Sequence, residues 1–233
     1  MKAPRRPTKR RPRKATRREL ERVYRILLRE HGHAGWWPGK TRFEVALGAI
    51  LVQNTAWTNA RKALGVVRRR GLLSFRALDP LSVAQIAPLV RSSGTFRVKA
   101  RRVRAFLDLL RAEFGGRVAA MRTPPAGVLR AKLLAVSGIG PETADSIALY
   151  AAEKPLFVVD AYTRRVFSRL GFIGGDEPYD EVQRFFMDRL RGDALLFNDY
   201  HAQIVRLAKD HCRKRPLCAG CPLESGCAKR GVR

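Results

Sequence analysis

The architecture of this 233-residue chain is best indicated by residues 133–144, Leu133-Leu134-Ala135-Val136-Ser137-Gly138-Ile139-Gly140-Pro141-Glu142-Thr143-Ala144. An apolar stretch leads into Gly138-Ile139-Gly140, and Pro141 suits the first position of a new helix. Two glycines let the backbone approach a partner closely, and the N–H groups at a helix start favour phosphate oxygens. The pattern predicts two helices joined by a tight hairpin that binds DNA without sequence preference; a helix–helix turn with no ligand is the alternative.

Helical patterns lie on both sides of this segment. Leu20, Val23, Tyr24, Leu27 and Leu28 follow the spacing of one helix face, and Gly32 lies where that helix would end. The segment 43–52 is apolar on nearly every face, which predicts a fully buried helix. Further helices are predicted over 57–70, 82–91, 99–114, 126–136, 141–152, 161–170, 180–191 and 198–211. Only the short run 156–159 resembles a strand, so the predicted fold class is all-α.

The charge of the chain points to a polyanionic partner. Lys and Arg number 47 against 20 Asp and Glu, a formal net charge of +27, which is typical of proteins that bind nucleic acid. Residues 1–18 hold ten of the basic residues, three prolines and no acid, and we expect them to be a disordered arm that binds phosphates non-specifically. A merely solubilising arm and an Arg-rich transit peptide are the alternatives. We find no apolar run of membrane-spanning length and no secretory signal core.

The cysteines suggest a metal centre. Cys212, Cys218, Cys221 and Cys227 are all the cysteines of the chain, and they fall within 16 residues with the spacing C-x5-C-x2-C-x5-C. Four thiolates on one short loop suit a tetrahedral Zn²⁺ or an iron–sulfur cluster, and the spacing does not choose between them. Disulfides are a weaker alternative for a basic chain without signs of secretion.

Two further features have both an ordinary and a chemical interpretation. Asp160 follows an apolar run and precedes an amphipathic helix, where it would cap that helix or serve as a catalytic carboxylate. All three tryptophans lie near the start of the chain, at Trp36-Trp37-Pro38 and at Trp57, just after Gln53-Asn54-Thr55. They would pack in the core or stack on a flipped base.

Taken together, these residues resemble the endonuclease III family of helix-hairpin-helix DNA glycosylases over roughly residues 19–230. The resemblance implies a six-helix barrel carrying the hairpin, over about 34–154, beside a second helical domain built from 19–33 and 155–233. In the family the four cysteines of that second domain hold a [4Fe–4S] cluster. Here the first spacing is one residue shorter than the usual C-x6-C, which leaves Zn²⁺ as an alternative.

The resemblance also assigns roles to single residues. Asp160 falls on the family's essential aspartate, which stabilises the positive charge that develops on the deoxyribose. Gln53 would fill the space left by the flipped nucleotide, and Thr95 and Phe96 belong to a loop that wedges against the opposite strand. The hairpin would bind DNA through Gly138, Ile139, Gly140 and Thr143, and would hold a monovalent cation through its backbone carbonyls.

One position departs from the strand-cleaving members of the family. They carry a lysine two residues after the second glycine of the hairpin, where this chain has Glu142. A carboxylate cannot form the Schiff base of the lyase step. We therefore expect a monofunctional glycosylase that hydrolyses the N-glycosidic bond and leaves an abasic site; Lys132 or Lys154 would replace the missing lysine only if the fold brought one of them into the pocket.

The base preference is inferred from the same comparison. Trp36-Trp37-Pro38, Gln53-Asn54-Thr55 and the hairpin look most like the 3-methyladenine branch, in which Trp36, Trp37 and Trp57 would line the base pocket. A methylated purine is cationic and stacks well on electron-rich rings. The adenine-mismatch branch of the family fits less well, because it has a glutamate where this chain has Ala49. A glycosylase for oxidised or deaminated bases and a non-catalytic damaged-DNA-binding protein remain the alternatives. The expected partner is duplex DNA that contains a damaged base. We expect the protein to be a monomer and to be located in the cytoplasm, associated with the nucleoid.

Overall fold

In a computed structural model that describes residues 15–232, the chain is helical and has no β-strand. The described residues form two compact units: one comprises the chain up to His33, Val159–Leu190 and the chain from Gln203 onward, and the other comprises Ala34–Val158 and Arg191–Ala202. No helix among these residues is both long and apolar enough to span a membrane. The helices are α1 (Arg17–His31), α2 (Arg42–Leu51), α3 (Trp57–Arg69), α4 (Phe75–Leu78), α5 (Val83–Leu89), α6 (Phe96–Phe114), α7 (Ala126–Leu134), α8 (Pro141–Ser146), α9 (Ala161–Leu170), α10 (Tyr179–Leu190) and α11 (Ala194–Asp210).

The first unit, which we call the cysteine unit, is organised around α1. Thr16 begins this helix with a capping box: its hydroxyl accepts from the Glu19 N–H, and the Glu19 carboxylate accepts from the Thr16 N–H at 2.8 Å. α1 packs on α10, and Arg189 Nε donates to the Ala15 carbonyl at 2.8 Å. The boundary expected for the basic arm at residue 18 is therefore too late, because residues 15–18 belong to the folded part. Residues 1–14 of that arm lie outside the described residues.

The second unit, which we call the hairpin unit, is built around α2. Every residue from Phe43 to Leu51 is buried, because the helix contacts α3, α6, α8 and the π-helical turn Ile147–Ala151 that continues α8. Thr41 caps its start by accepting from the Glu44 N–H at 3.1 Å. A helix with no exposed face is the outcome that a segment apolar on nearly every face predicts, and Glu44, the one charged residue between Phe43 and Leu51, is buried with the rest.

Two expectations differ from the structure. Residues 156–159 are buried but have no regular secondary structure, and they lead to the start of α9. The segment Arg191–Ala202 groups with the hairpin unit rather than with the cysteine-bearing part. The reason is aromatic packing, since the ring of Phe157 lies 5.5 Å from that of Phe197 and 6.0 Å from that of Tyr200.

Candidate functional site

The hairpin between α7 and α8 presents its two glycines to solvent. Gly138 has φ +82°, a conformation that L side chains rarely adopt, and Gly140 is the N-cap of α8 without any side-chain cap. Between them Ile139 is buried, and its N–H donates to the Val136 carbonyl at 3.0 Å. A Cβ added at Gly140 would meet nothing within 4 Å. The backbone at Gly140 is therefore open to a closely approaching partner.

Gln53 links this hairpin to the end of α2. Its side-chain nitrogen donates to the Gly138 carbonyl at 3.0 Å and to the Thr143 hydroxyl at 2.8 Å. Its carbonyl oxygen accepts from Arg102 at 2.6 Å. Three of the residues expected to bind DNA, Gln53, Gly138 and Thr143, are thus brought into one hydrogen-bonded group, together with Arg102 of α6.

Thr95 and Phe96 form a separate feature at the start of α6. Thr95 is exposed and is the N-cap residue, although its side chain makes no cap hydrogen bond. The ring of Phe96 is half-buried, and the guanidinium groups of Arg91 and Arg97 lie 5.8 and 5.5 Å from its centre. An aromatic ring flanked by two cations can stack on a base while the arginines reach phosphates.

Two of the three tryptophans line one pocket of the hairpin unit, which we call the tryptophan pocket. The rings of Trp37 and Trp57 meet edge to face with centres 5.2 Å apart, and the pocket beside them is open and has a volume of about 430 Å³. Trp36 packs against Trp37 at 5.7 Å but is not among the lining residues. The remaining lining residues are Gly35, Pro38, Gly39, Lys40, Glu44, Arg61, Leu64 and Arg68.

The pocket also contains polar residues that sequence reasoning missed. Glu44 is buried although it is charged; it pairs with Arg68 and accepts from the Lys40 N–H at 3.0 Å. On α2, Gly48 lies under both rings, since an added Cβ would touch Trp37 Nε1 at 3.4 Å and Trp57 at 3.5 Å. A glycine within an apolar helix costs stability relative to alanine, and that signal could have marked the position as a packing site.

Asp160 is the N-cap of α9, in the cysteine unit. Its carboxylate accepts from the Thr163 N–H at 2.7 Å, and its backbone is extended. The residue is half-buried, and Thr163 is fully buried beneath it. The positive end of the helix dipole favours the ionised carboxylate at this position. The cap that the sequence predicted is therefore present, and it fixes the side chain in one orientation.

Glu142 is the second residue of α8 and is exposed. The Ser146 hydroxyl donates to the Glu142 backbone carbonyl at 2.7 Å, and the Glu142 carboxylate belongs to the first turn of the helix. Lys132 and Lys154 are held elsewhere: Lys132 pairs with Glu113 at 2.5 Å, and Lys154 donates to the Arg122 carbonyl at 2.6 Å.

The four cysteines are free thiols and line a single small cavity of about 30 Å³ in the cysteine unit. Cys212 follows α11, and the others lie on the loop after it. Arg169 donates to Cys212 Sγ at 3.3 Å, and the Lys229 N–H donates to Cys227 Sγ at 3.4 Å. Burial raises the pKa of the Cys221 and Cys227 thiols.

The lining of this cavity is otherwise mainly apolar, with Val166, Leu170, Leu207, Pro216, Leu217 and Leu223 among its residues. Four soft sulfur donors around one largely apolar cavity fit an iron–sulfur cluster or zinc. Although the four cysteines share this cavity, no group of three or more His, Cys, Asp or Glu side chains within residues 15–232 is arranged as a bound metal ion would require.

The chain is similar in sequence and in structure to known DNA repair proteins. A protein of Methanocaldococcus jannaschii, provisionally named a DNA repair glycosylase, is 40% identical over 212 residues, which cover 91% of this chain and 96% of that protein. Endonuclease III of Sulfolobus acidocaldarius is 28% identical over 193 residues, covering 81% and 83% of the two chains. The crystal structure of H. pylori 3-methyladenine DNA glycosylase (MagIII) bound to 1,N6-ethenoadenine superposes with a TM-score of 0.71 at 28% identity, covering 83% of this chain and 95% of that one.

Residues 47–191 match the family model described as HhH-GPD superfamily base excision DNA repair protein. The matched segment begins within α2, contains the hairpin and Asp160, and ends just after α10. The resemblance to helix-hairpin-helix, endonuclease III-like glycosylases inferred from the sequence is thereby confirmed. The chain belongs to the HhH-GPD superfamily of base excision DNA repair proteins.

Proposed function

We propose that this DNA glycosylase of base excision repair acts on alkylated purines, with 3-methyladenine and 7-methylguanine as the test substrates, and that it has no lyase activity. In this proposal the damaged base is flipped out of the duplex and its N-glycosidic bond is hydrolysed, so that an intact strand with an abasic site remains. The contact between Trp37 and Trp57 on the wall of an open pocket carries the base preference.

The tryptophan pocket supports a cationic, aromatic base. The faces of the indole rings are electron-rich, and a methylated purine that stacks on one of them gains about 0.5–2 kcal/mol by cation–π attraction. The buried carboxylate of Glu44 is paired with Arg68, and Lys40 and Arg61 also line the pocket, so the proposed preference rests on the indole rings and not on the net charge of the wall. The structural neighbour from H. pylori is itself a 3-methyladenine DNA glycosylase.

Asp160 would supply the chemistry of bond cleavage. A glycosidic bond to a purine breaks through an oxocarbenium-like transition state, and a fixed carboxylate stabilises the positive charge that builds up on the sugar. The hydrogen bond from the Thr163 N–H to Oδ1 fixes the orientation of the carboxylate at the start of α9, and its negative charge would act on the sugar or on the attacking water. A methylated base needs little acid catalysis because its positive charge already makes it a good leaving group.

The absence of lyase activity is inferred from position 142. A Schiff base requires a neutral amine near C1′ of the sugar, and the side chain at this position is a carboxylate. Both alternative lysines, Lys132 and Lys154, are engaged in contacts of their own. The expected product is therefore an uncut abasic strand.

The cysteine loop would hold a [4Fe–4S] cluster through Cys212, Cys218, Cys221 and Cys227. When bound, the cluster would supply four metal–thiolate bonds that tie the loop together. The backbone carbonyls of the hairpin would hold a monovalent cation. We assign neither group a step in base release, and we expect the protein to act as a monomer on duplex DNA.

The test is free-base release from methylated duplex DNA, separated by chromatography, with strand integrity followed in the same reaction. We expect 3-methyladenine or 7-methylguanine to appear, and nicks to appear only after alkali. Trp57→Ala should lower kcat/KM for a methylated purine about tenfold, with a smaller loss for Trp57→Phe, which keeps an aromatic face.

Other outcomes assign the enzyme differently. Duplexes containing uracil or an oxidised base serve as competing substrates; release from them alone would make this a glycosylase for deaminated or oxidised bases. Tight binding to every damaged duplex without any base release would indicate a non-catalytic damage-binding protein. Nicks formed before alkali treatment would contradict the absence of lyase activity.

A further inference from the structure

Two neighbouring cations on α6 point inward, one helical turn apart. Lys99 is 1% exposed, and its ammonium donates to the Leu51 carbonyl at 2.6 Å and to the Ser93 carbonyl. Arg102 lies three residues later on the same face and donates to Gln53 at 2.6 Å. Because Lys99 is buried, its ammonium is not available to contact DNA directly.

The acceptors of these cations lie on two segments of the chain, and Gln53 connects them to a third. Leu51 is the last residue of α2, directly before the Gln53 loop, and Ser93 directly precedes the Gly94–Phe96 segment. Through Gln53, Arg102 reaches the hairpin at Gly138 and Thr143. One face of one helix therefore touches every segment of the hairpin unit that we expect to contact DNA.

The hairpin is shaped around Arg102. A Cβ added at Gly138 would lie 2.5 Å from Arg102 Nε and 2.6 Å from its Cγ, so the arginine occupies the space that any side chain at 138 would need. The Lys99 ammonium lies at the C-terminal end of α2, where unpaired carbonyls and the helix dipole favour a cation.

This arrangement has an energetic cost. Burial, followed by the charge of Arg102, lowers the pKa of Lys99 to about 8. A buried ammonium beside a second cation is destabilising unless its hydrogen bonds compensate. An apolar side chain in the same space would avoid burying a charge but would take away the donor of the Leu51 and Ser93 carbonyls, so the ammonium is what ties these two carbonyls to α6.

We propose that Lys99 and Arg102 are positioning residues. Together they form what we call the cationic bracket of α6, which holds the Gln53 loop, the Gly94–Phe96 segment and the hairpin in the relative positions that binding of damaged DNA requires. The inference rests on the proposed DNA-contact roles of those segments, but it does not depend on which base is removed. Preorganised contacts bind more tightly because less conformational entropy is lost on association.

The test is a double-mutant cycle between Arg102→Met and Gln53→Ala. Affinity is measured for a duplex that contains a tetrahydrofuran abasic-site analogue, which no glycosylase can turn over. We expect Arg102→Met to weaken binding about tenfold in the wild-type background, as for the loss of a charge-assisted hydrogen bond, and less than about twofold when Gln53 is already alanine. Arg101→Met, at the adjacent exposed position of α6, removes the same charge and serves as the matched control.

Three further measurements separate positioning from simple charge or folding effects. Arg102→Lys keeps a donor for Gln53 and should recover most of the lost affinity. Lys99→Met should also weaken duplex binding about tenfold, and Arg101→Met should show a smaller loss of affinity. Thermal unfolding of each variant shows whether it is folded; if Lys99→Met does not fold, the cycle on Arg102 decides the proposal.

The proposal would be overturned by additive effects in the cycle, which would mean that Arg102 acts independently of Gln53. Equal losses in Arg101→Met and Arg102→Met would also overturn it, because charge alone would then explain the affinity. A protein that shows the expected coupling but releases no methylated purine would refute the proposed base preference and leave the bracket intact.

Discussion

Replacing Asp160 separates the helix cap that the structure shows from the catalytic role that we propose for the same side chain. As N-cap of α9, the carboxylate accepts from the Thr163 N–H at 2.7 Å; as proposed catalyst, it provides a negative charge. Asparagine caps helices about as well as aspartate but is neutral, whereas alanine does neither. The pair Asp160→Asn and Asp160→Ala therefore tests the charge and the cap independently.

The magnitudes follow from these two roles. Loss of the cap costs about 1 kcal/mol, which for a chain of this length lowers Tm by about 2–4 °C, so Asp160→Ala should melt that much earlier and Asp160→Asn close to wild type. Loss of a preorganised charge at the transition state typically costs about 100- to 1,000-fold in rate. Both variants should therefore lose base release by at least about 100-fold.

The assay combines single-turnover base release at saturating enzyme, thermal unfolding and affinity for an abasic-analogue duplex. Affinity should stay within about threefold of wild type in Asp160→Asn, because the cap keeps the backbone in place. Base release by Asp160→Asn within about threefold of wild type would refute the catalytic role. A Tm of Asp160→Asn as low as that of Asp160→Ala would refute the assumption that the cap survives the substitution.

Four other predictions concern separate parts of the molecule. Glu142→Lys should permit a covalent enzyme–DNA complex to be trapped with borohydride, because it supplies the missing amine; no trapping would show that position 142 lies too far from the sugar. Gly138→Ala should lower Tm by several degrees, because Gly138 has a φ of +82° and an added Cβ has no room. Gly140→Ala, where an added Cβ meets open space, should keep the Tm of the wild type and lose duplex affinity. Equal losses of Tm in the two variants would contradict this reasoning. Elemental analysis should find iron and sulfide in the wild-type protein and a loss of both in Cys218→Ser; zinc in their place would refute the cluster. Because the folded-state pKa of Lys99 is lowered to about 8 and lysine in the unfolded chain titrates at about 10.4, the unfolded state holds more protons between these values. Stability should rise with pH there, by at most about 1.4 kcal/mol per pH unit, and urea midpoints of Lys99→Met should lack this contribution.

Helix positions were largely predictable because each depends on local pattern. The amphipathic run after Asp160 predicted 161–170, and α9 has those bounds. α6 begins at Phe96, three residues before the prediction, because no side chain caps its start to mark it. The four-residue α4 was missed, since so short a helix has no measurable periodicity.

Contacts between distant segments could not be predicted from pattern. Gln53 and Thr143 are 90 residues apart, and no local signal pairs them. Lys99 looks like an ordinary surface lysine in a basic helix, and only the fold shows that it is buried. The resemblance grouped the three tryptophans, whereas the lining of the pocket contains Trp37 and Trp57 but not Trp36. Side-chain roles of this kind depend on tertiary packing, which overrides local preference.

The complete burial of α2 makes this helix an internal reference for hydrogen exchange. Since each residue from Phe43 to Leu51 is buried, its amides should exchange with deuterium only when the whole hairpin unit opens. Peptides from α2 would then report global opening, while those from the hairpin and from residues 94–96 report local opening. The difference between the two rates, measured with and without a damaged duplex, would give the local ordering that DNA induces, already corrected for any change in overall stability.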